Sequence, residues 1–168
     1  MSSSSLPFPH RIQSQADLLL WEDRIDQILG RLALEQKVGQ LHQIPLPNAG
    51  EEEAIKAGKL GTGIFAASAF AGNERDAGTS WEAAERYQRM ALDAGGIPLL
   101  FGRDVIHGHL TVYPIPLGQA AAWNPELVEA SQQIAAREAT ADGLHWTFSP
   151  VADIGRDPRW GRVAEGYG

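Results

Sequence analysis

The chain contains no cysteine among its 168 residues, which excludes disulfides and any metal site built on thiolates. Positive charge is also scarce: 14 Lys and Arg stand against 21 Asp and Glu, a net charge of −7. A duplex reader needs a basic patch to displace counterions. Here the basic residues are spread along the chain, so nucleic acid is not an expected partner. Long apolar runs are missing too. ADLLLW (16–21) falls far short of the roughly 20 apolar residues of a membrane helix, and no membrane partner is expected. The opening MSSSSLPFPH lacks a basic n-region and an apolar h-region. It does not read as a secretory signal. The expected location is cytoplasmic, or periplasmic or secreted if a signal has been removed. Residues 1–14, rich in Ser and Pro, read as a flexible lead-in.

What is present is an ordinary globular composition, 43% hydrophobic and 21% charged. Leu18, Trp21, Ile25, Ile28, Leu29 and Leu32 recur at helical spacing over 15–32, with Ser14 and Asp17 as an N-terminal cap. A short helix from Leu34 feeds VGQLHQI, an apolar segment read as a strand ending at Pro45. Residues 51–58 form an acidic-to-basic helix stopped by Gly58, and GTGIFAA (61–67) is a buried strand. Residues 68–80 are loop. Thr79 with Glu82 makes a capping box for a helix whose Ala84, Tyr87, Ala91 and Ala94 share one face, ended by Gly95-Gly96.

IPLLFG (97–102) is the next strand. Asn124-Pro125 opens the strongest helix, with Asn as cap and Pro at the first helical position. Leu127, Val128, Ile134, Ala135 and Ala139 are read as its inner face, and Glu129, Arg137 and Glu138 as its wet one. Gly143 stops it before the strand LHWTFSPV (144–151).

Strands alternating with helices are the pattern of parallel βα units. An open dinucleotide-binding sheet would carry its glycines between strand and helix. GTGIFAA has them before the strand, so a closed eightfold barrel is favoured. Barrel sites gather at the carboxyl ends of several strands. The polar clusters DVIHGH (104–109) and DIGRDPRWGR (153–162) follow two separate strands, as that rule requires. A full barrel takes about 250 residues. Four strands are legible, so the fold class is α/β, the N-terminal part of a (β/α)8 TIM-like barrel with about half of its strands.

FGRDVIHGH (101–109) together with the block from YPIPLGQAAAWNPELV (113–128) to SPVADIGRDPRWGRVAEGYG (149–168) resembles the N-terminal barrel of glycoside hydrolase family 3, in its β-glucosidase branch. ILGRLALEQKVGQLHQ (28–43) is similar to the opening of the same domain. On this resemblance residues 15–168 are a partial family 3 barrel. The resemblance implies a retaining glycosidase that removes terminal β-D-glucosyl residues, with no cofactor and no metal. Such chemistry needs two carboxyl groups about 5–5.5 Å apart. In the family both come from later in the protein, so no catalytic residue is expected in this chain, and the isolated chain is expected to be inactive.

What the resemblance leaves here is part of a glucose clamp. Asp104 matches a family aspartate that accepts from glucose hydroxyls, and Arg162 a family arginine that binds the same sugar. A carboxylate accepts from two adjacent hydroxyls and a guanidinium donates in a fixed fork. His107, Arg159 and Trp160 are candidates for sugar contact or for support of the loops. The residue-level alternatives stay open: Asp104 as a cap or an ion-pair partner of Arg103, Arg162 as a structural partner of Asp153, Asp157 or Glu165, Trp146 and Trp160 as core. His107 and His109, spaced H-x-H, have no third ligand nearby in a zinc-like pattern.

Two positions depart from the family. Arg103 replaces a smaller or apolar residue beside the aspartate, adding charge at the rim or pairing with an acidic neighbour. Ala33 replaces a capping threonine. The expected partner is a β-glucoside or oligosaccharide. Two other functions compete: a non-catalytic sugar-binding or scaffold half-barrel that associates through its unpaired edges, and a β-xylosidase or related exo-glycosidase.

Overall fold

The computed structural model describes residues 14–65 and 81–168. The lead-in read over residues 1–14, apart from Ser14, the loop over 68–80 and the Thr79 cap lie outside them. Helix α1 (Gln15–Leu29) begins where Ser14 Oγ accepts from the Asp17 N–H at 3.1 Å. It stops at Gly30, short of Leu32. Helix α2 (Leu34–Gly39) follows. Its start is capped from one side only: Gln36 Oε1 accepts from the Ala33 N–H at 3.0 Å, while Ala33 offers no oxygen in return. Ala33 sits at φ −64°, ψ 161°, the extended geometry of a capping residue. Ala33→Thr is therefore expected to raise unfolding stability by about 1 kcal/mol in urea denaturation.

The segment VGQLHQI is not one strand. Val38 and Gly39 close α2, and strand β1 is Gln43–Leu46. The reason is steric: a Cβ on Gly39 would lie 2.3 Å from the Gly58 carbonyl oxygen, so the glycine serves a close backbone crossing at the helix end. Thereafter the chain runs α3 (Glu51–Lys56), β2 (Thr62–Phe65), α4 (Trp81–Asp93), β3 (Leu100–Arg103), α5 (Pro116–Ala121), α6 (Pro125–Ala141) and β4 (Trp146–Thr147), then a 3-10 turn, Val163–Glu165. The strands form one four-stranded sheet, all neighbours parallel, in the order β1-β2-β3-β4. Consecutive parallel strands joined through helices are the opening of an α/β barrel.

Alternation along the strands gives the sheet two different faces. One carries Leu46, Phe65 and Phe101, fully buried under Ile55 of α3, Tyr87 of α4 and Ala135 and Ala139 of α6. Phe65 and Phe101 stack with ring centroids 4.7 Å apart. The opposite face carries Leu100 and Trp146, 48% and 44% exposed. In a closed barrel that inner face is filled by side chains from the other strands. Among the described residues the core therefore lies on the helix side of the sheet.

Tyr87 closes this core with its hydroxyl donating to buried Glu51 Oε1 at 2.6 Å. Burial first, and then the Glu51 carboxylate, push the Tyr87 phenol well above its ordinary range. Ala94 lies past the end of α4 and is exposed, so the buried face of that helix ends at Ala91.

Helix α6 starts as its sequence predicts, with Asn124 Oδ1 accepting from the Leu127 N–H at 3.1 Å. Its buried stripe, however, is Ser131, Ala135 and Ala139. Small residues one turn apart let the helix lie close to its neighbours. Leu127 and Ile134, read as inward, instead line a cavity of about 390 Å³ between α5 and α6 with Tyr113, Pro114 and Val128.

Across the β3–β4 seam the Phe101 N–H donates to His145 Nδ1 at 3.0 Å, and the His145 N–H to the Phe101 carbonyl at 2.8 Å. The first bond needs the Nδ1 lone pair, and burial lowers the His145 pKa. Below about pH 6.5 the unfolded chain takes up this proton while the folded chain resists it, so stability falls as pH drops from there. His145→Asn, whose Oδ1 replaces Nδ1 as acceptor, is expected to flatten that part of the stability profile. Identical slopes for the two proteins would assign the effect to other groups.

Candidate functional site

The carboxyl ends of β3 and β4 carry the two polar clusters. Asp104 follows β3 directly and is exposed, whereas Val105, the next residue, is 1% exposed. Val105 sits at φ 49°, a left-handed conformation that a β-branched side chain rarely adopts. The sharp turn separates the two residues, one into solvent and one into the core. Arg103 is 2% exposed. On the strand it alternates with Gly102 and shares the face of Phe101, so it does not add charge to the rim.

The second cluster reaches the first through Ser149, whose hydroxyl donates to the Val105 carbonyl at 3.1 Å. Thr147 Oγ1, at the end of β4, lies 3.0 Å from the same hydroxyl. Beyond it the chain runs out through Asp153 and Asp157 and returns, Val151 bridging to Gly166. Arg162 lies on this return, its Nε and Nη2 donating to Glu165 Oε2 at 2.9 and 2.6 Å. Glu165 is the main cause of a raised Arg162 pKa, and the charges of Asp104 and Asp153 raise it further. The structure thus brings Asp104 and Arg162 within electrostatic reach of each other from two strand ends. Of the acids proposed as structural partners of Arg162, Glu165 is the one bonded to it.

The other candidates fall around this pair. Arg159 is exposed and donates through Nε and Nη2 to both Asp157 oxygens, at 3.0, 3.1 and 2.6 Å. That bond is the main cause of a depressed Asp157 pKa and a raised Arg159 pKa. Trp160 is half-buried and its carbonyl accepts from the Val163 N–H at 3.1 Å, in the turn that carries Arg162. Trp146 is not core: it stands on the open face, edge-on to Phe148 with centroids 5.3 Å apart. A Cβ on Gly102 would lie 2.0 Å from Trp146 Nε1, which is why β3 carries glycine immediately before Arg103 and Asp104.

The two histidines diverge. His107 Nδ1 lies 3.1 Å from the Tyr113 carbonyl, and the Tyr113 N–H donates to the His107 carbonyl at 2.8 Å. This closes the neck of the loop. His109 turns inward, Nε2 lying 2.7 Å from Asp142 Oδ2. Glu138, read as part of the wet face of α6, has a role that sequence reasoning missed. It stays partly exposed, but it also accepts from the Leu110 and Thr111 N–H groups, both at 2.8 Å, and from Thr111 Oγ1 at 2.6 Å. The signal that was available is charge placement: α6 has Glu138 and no base in its last turn, with Asp142 as its C-cap, against the sense of the helix dipole.

Residues 33–168 match the model of the glycosyl hydrolase family 3 N terminal domain. The chain belongs to that family. It is 37% identical over 148 residues to a periplasmic beta-glucosidase of Salmonella typhimurium, covering 86% of this chain and 18% of that protein. A beta-xylosidase of Formosa agariphila is 43% identical over 99 residues, 50% of this chain and 14% of its own. Among solved structures, an exo-1,3/1,4-beta-glucanase from a Pseudoalteromonas species superimposes with a TM-score of 0.75 at 28% identity, over 96% of this chain and 21% of that one.

The beta-glucosidase of Listeria innocua, solved with gluconolactone, gives a TM-score of 0.72 at 32% identity over 88% and 21%. The family 3 chain thus spans about a fifth of the length of the proteins it resembles across most of its residues. Its α/β fold is that of their N-terminal TIM-barrel domains.

Proposed function

We propose that this family 3 chain supplies part of the glucose-binding subsite of a retaining β-glucosidase acting on terminal β-D-glucosyl residues. Asp104 accepts from adjacent sugar hydroxyls and Arg162 donates to the same ring. These contacts hold the sugar remote from the bond that breaks, where binding energy serves to orient the anomeric carbon. The nucleophile and the acid/base lie outside these 168 residues. What supports the reading is that the exposed Asp104, directly after β3, and the exposed Arg162, on the return beyond β4, lie close enough for their charges to interact.

The direct test is an NMR titration of the chain with glucono-δ-lactone. Amide shifts centred on residues 104–105 and 162 are expected, with no hydrolysis of a chromogenic β-glucoside. Absence of lactone binding would overturn the assignment of the clamp, and turnover by the pure chain would overturn the placing of the catalytic carboxylates elsewhere. A parallel titration with xylose addresses the exo-xylosidase alternative, which the Formosa relative keeps in play.

Location and assembly follow from the same reading. The periplasmic name of the Salmonella relative supports a periplasmic location over the cytoplasmic one, and cell fractionation decides between them. The β1 and β4 edges and the uncovered inner face support self-association, which size-exclusion chromatography reads directly.

A further inference from the structure

The loop between β3 and α5 that begins with Asp104 is held mainly from one place, the last turn of α6. Glu138 there takes two loop N–H groups and the Thr111 hydroxyl. Asp142, one turn later, takes buried His109 at 2.7 Å. Two acids four residues apart repel one another, and at a helix C-terminus both oppose the macrodipole. As parts of α6 alone they are unfavourable. His109, Leu110 and Thr111, which bond to them, belong to the loop, and these bonds give the arrangement a purpose outside the helix.

The loop itself is built to transmit this anchoring. Its neck is shut by the His107–Tyr113 pair of bonds. Its interior turns at Gly108, φ 113°, where any side chain would collide with the Thr111 carbonyl. At its start the Val105 carbonyl is gripped by Ser149, and Val105 is buried at a left-handed φ. Asp104 is thus the exposed start of a segment fixed at tip, neck and root.

We propose that Glu138 and Asp142 of α6 are positioning residues that hold the Asp104 loop in its sugar-binding geometry. The proposal rests on the reading of Asp104 as a sugar ligand. It extends that reading to a helix end that touches no sugar. Glu138 is kept ionised by the groups it grips. The Thr111 hydroxyl bond first, and then the loop N–H bonds, hold its carboxyl below the usual range. A glutamine at 138 keeps the shape but presents an NH₂ where one oxygen accepts.

The experiment uses the whole 168-residue chain and glucono-δ-lactone as probe. Glu138→Gln is expected to weaken lactone binding about tenfold and to speed amide exchange at Leu110 and Thr111 by a similar factor. Thr111→Val, which removes one of the three bonds, is expected to weaken it about threefold and tests the same contact from the loop side if the first variant folds poorly. Glu129→Gln is the charge control, since that carboxylate bonds Gln133 of its own helix. Ala91→Gly, in the core of α4, is the stability control, and lactone affinity is expected to stay unchanged in both.

Faster exchange at 110 and 111 with unchanged affinity would make the acids structural only and overturn the proposal. So would an affinity that merely tracks stability across all the variants. Failure of the unsubstituted chain to bind lactone removes the Asp104 reading and this proposal together, and is distinguished from the other outcomes by appearing before any substitution is made.

Discussion

Asp104→Asn is expected to weaken glucono-δ-lactone binding roughly tenfold to a hundredfold while leaving the unfolding midpoint unchanged. A carboxylate that accepts from two vicinal hydroxyls makes charge-assisted bonds, and the neutral amide replaces one acceptor by a donor facing another donor. The loss for one such bond is about 1.5–3 kcal/mol, or roughly tenfold to a hundredfold in affinity. Because Asp104 is exposed beyond the strand end, the substitution leaves no buried group unpaired. Arg162→Lys is expected to fall nearly as far, since an ammonium cannot reproduce the fork.

The comparison that makes these results specific is Asp157→Asn. It removes the charge that pairs with Arg159 on the same exposed loop and is expected to leave lactone affinity alone. Full affinity in Asp104→Asn would move the ligand to another part of the chain.

Much of the fold was legible because its start and stop signals are chemical. Ser14, Asn124-Pro125, Gly58, Gly95 and Gly143 act through capping oxygens or a left-handed φ that few residues tolerate, and these signals survive any tertiary context. Strand limits were harder to see. VGQLHQI and LHWTFSPV are apolar enough for long strands, yet only Gln43–Leu46 and Trp146–Thr147 pair. Pairing depends on what the neighbouring strand offers, which apolarity alone does not report.

The inner face of α6 was read in part, Ala135 and Ala139 being buried as expected, and the rest was missed for a related reason. Leu127 and Ile134 outrank alanine in hydrophobicity, but close packing against a neighbour selects the small residues Ser131, Ala135 and Ala139. At the site, Asp104, Arg162 and their convergence on one sugar were expected through the resemblance, whereas the contacts that tie the two clusters together, Ser149–Val105 and Val151–Gly166, left no mark in the sequence. Glu138 escaped because an acid at a helix end reads as solvated until the loop donors are placed around it.

Phe101→Ala is expected to cost about 3–5 kcal/mol of unfolding stability, against about 1 kcal/mol for Leu100→Ala next to it. Phe101 is fully buried, stacks on Phe65, and lies 6.4 Å from the Tyr87 ring and 5.7 Å from that of His145. Its removal opens a cavity shared by β2, β3 and α4. Leu100 points to the other face, where it is 48% exposed. The ratio of the two costs therefore measures how far that face is filled, since in a closed barrel the same position packs against layers from other strands. Urea denaturation of both variants at several protein concentrations separates the cases. A Leu100 cost that climbs toward the Phe101 value as concentration rises shows the inner face being covered by a second copy. Equal costs at every concentration would mean that the sheet is already enclosed on both sides, against the one-sided core described above.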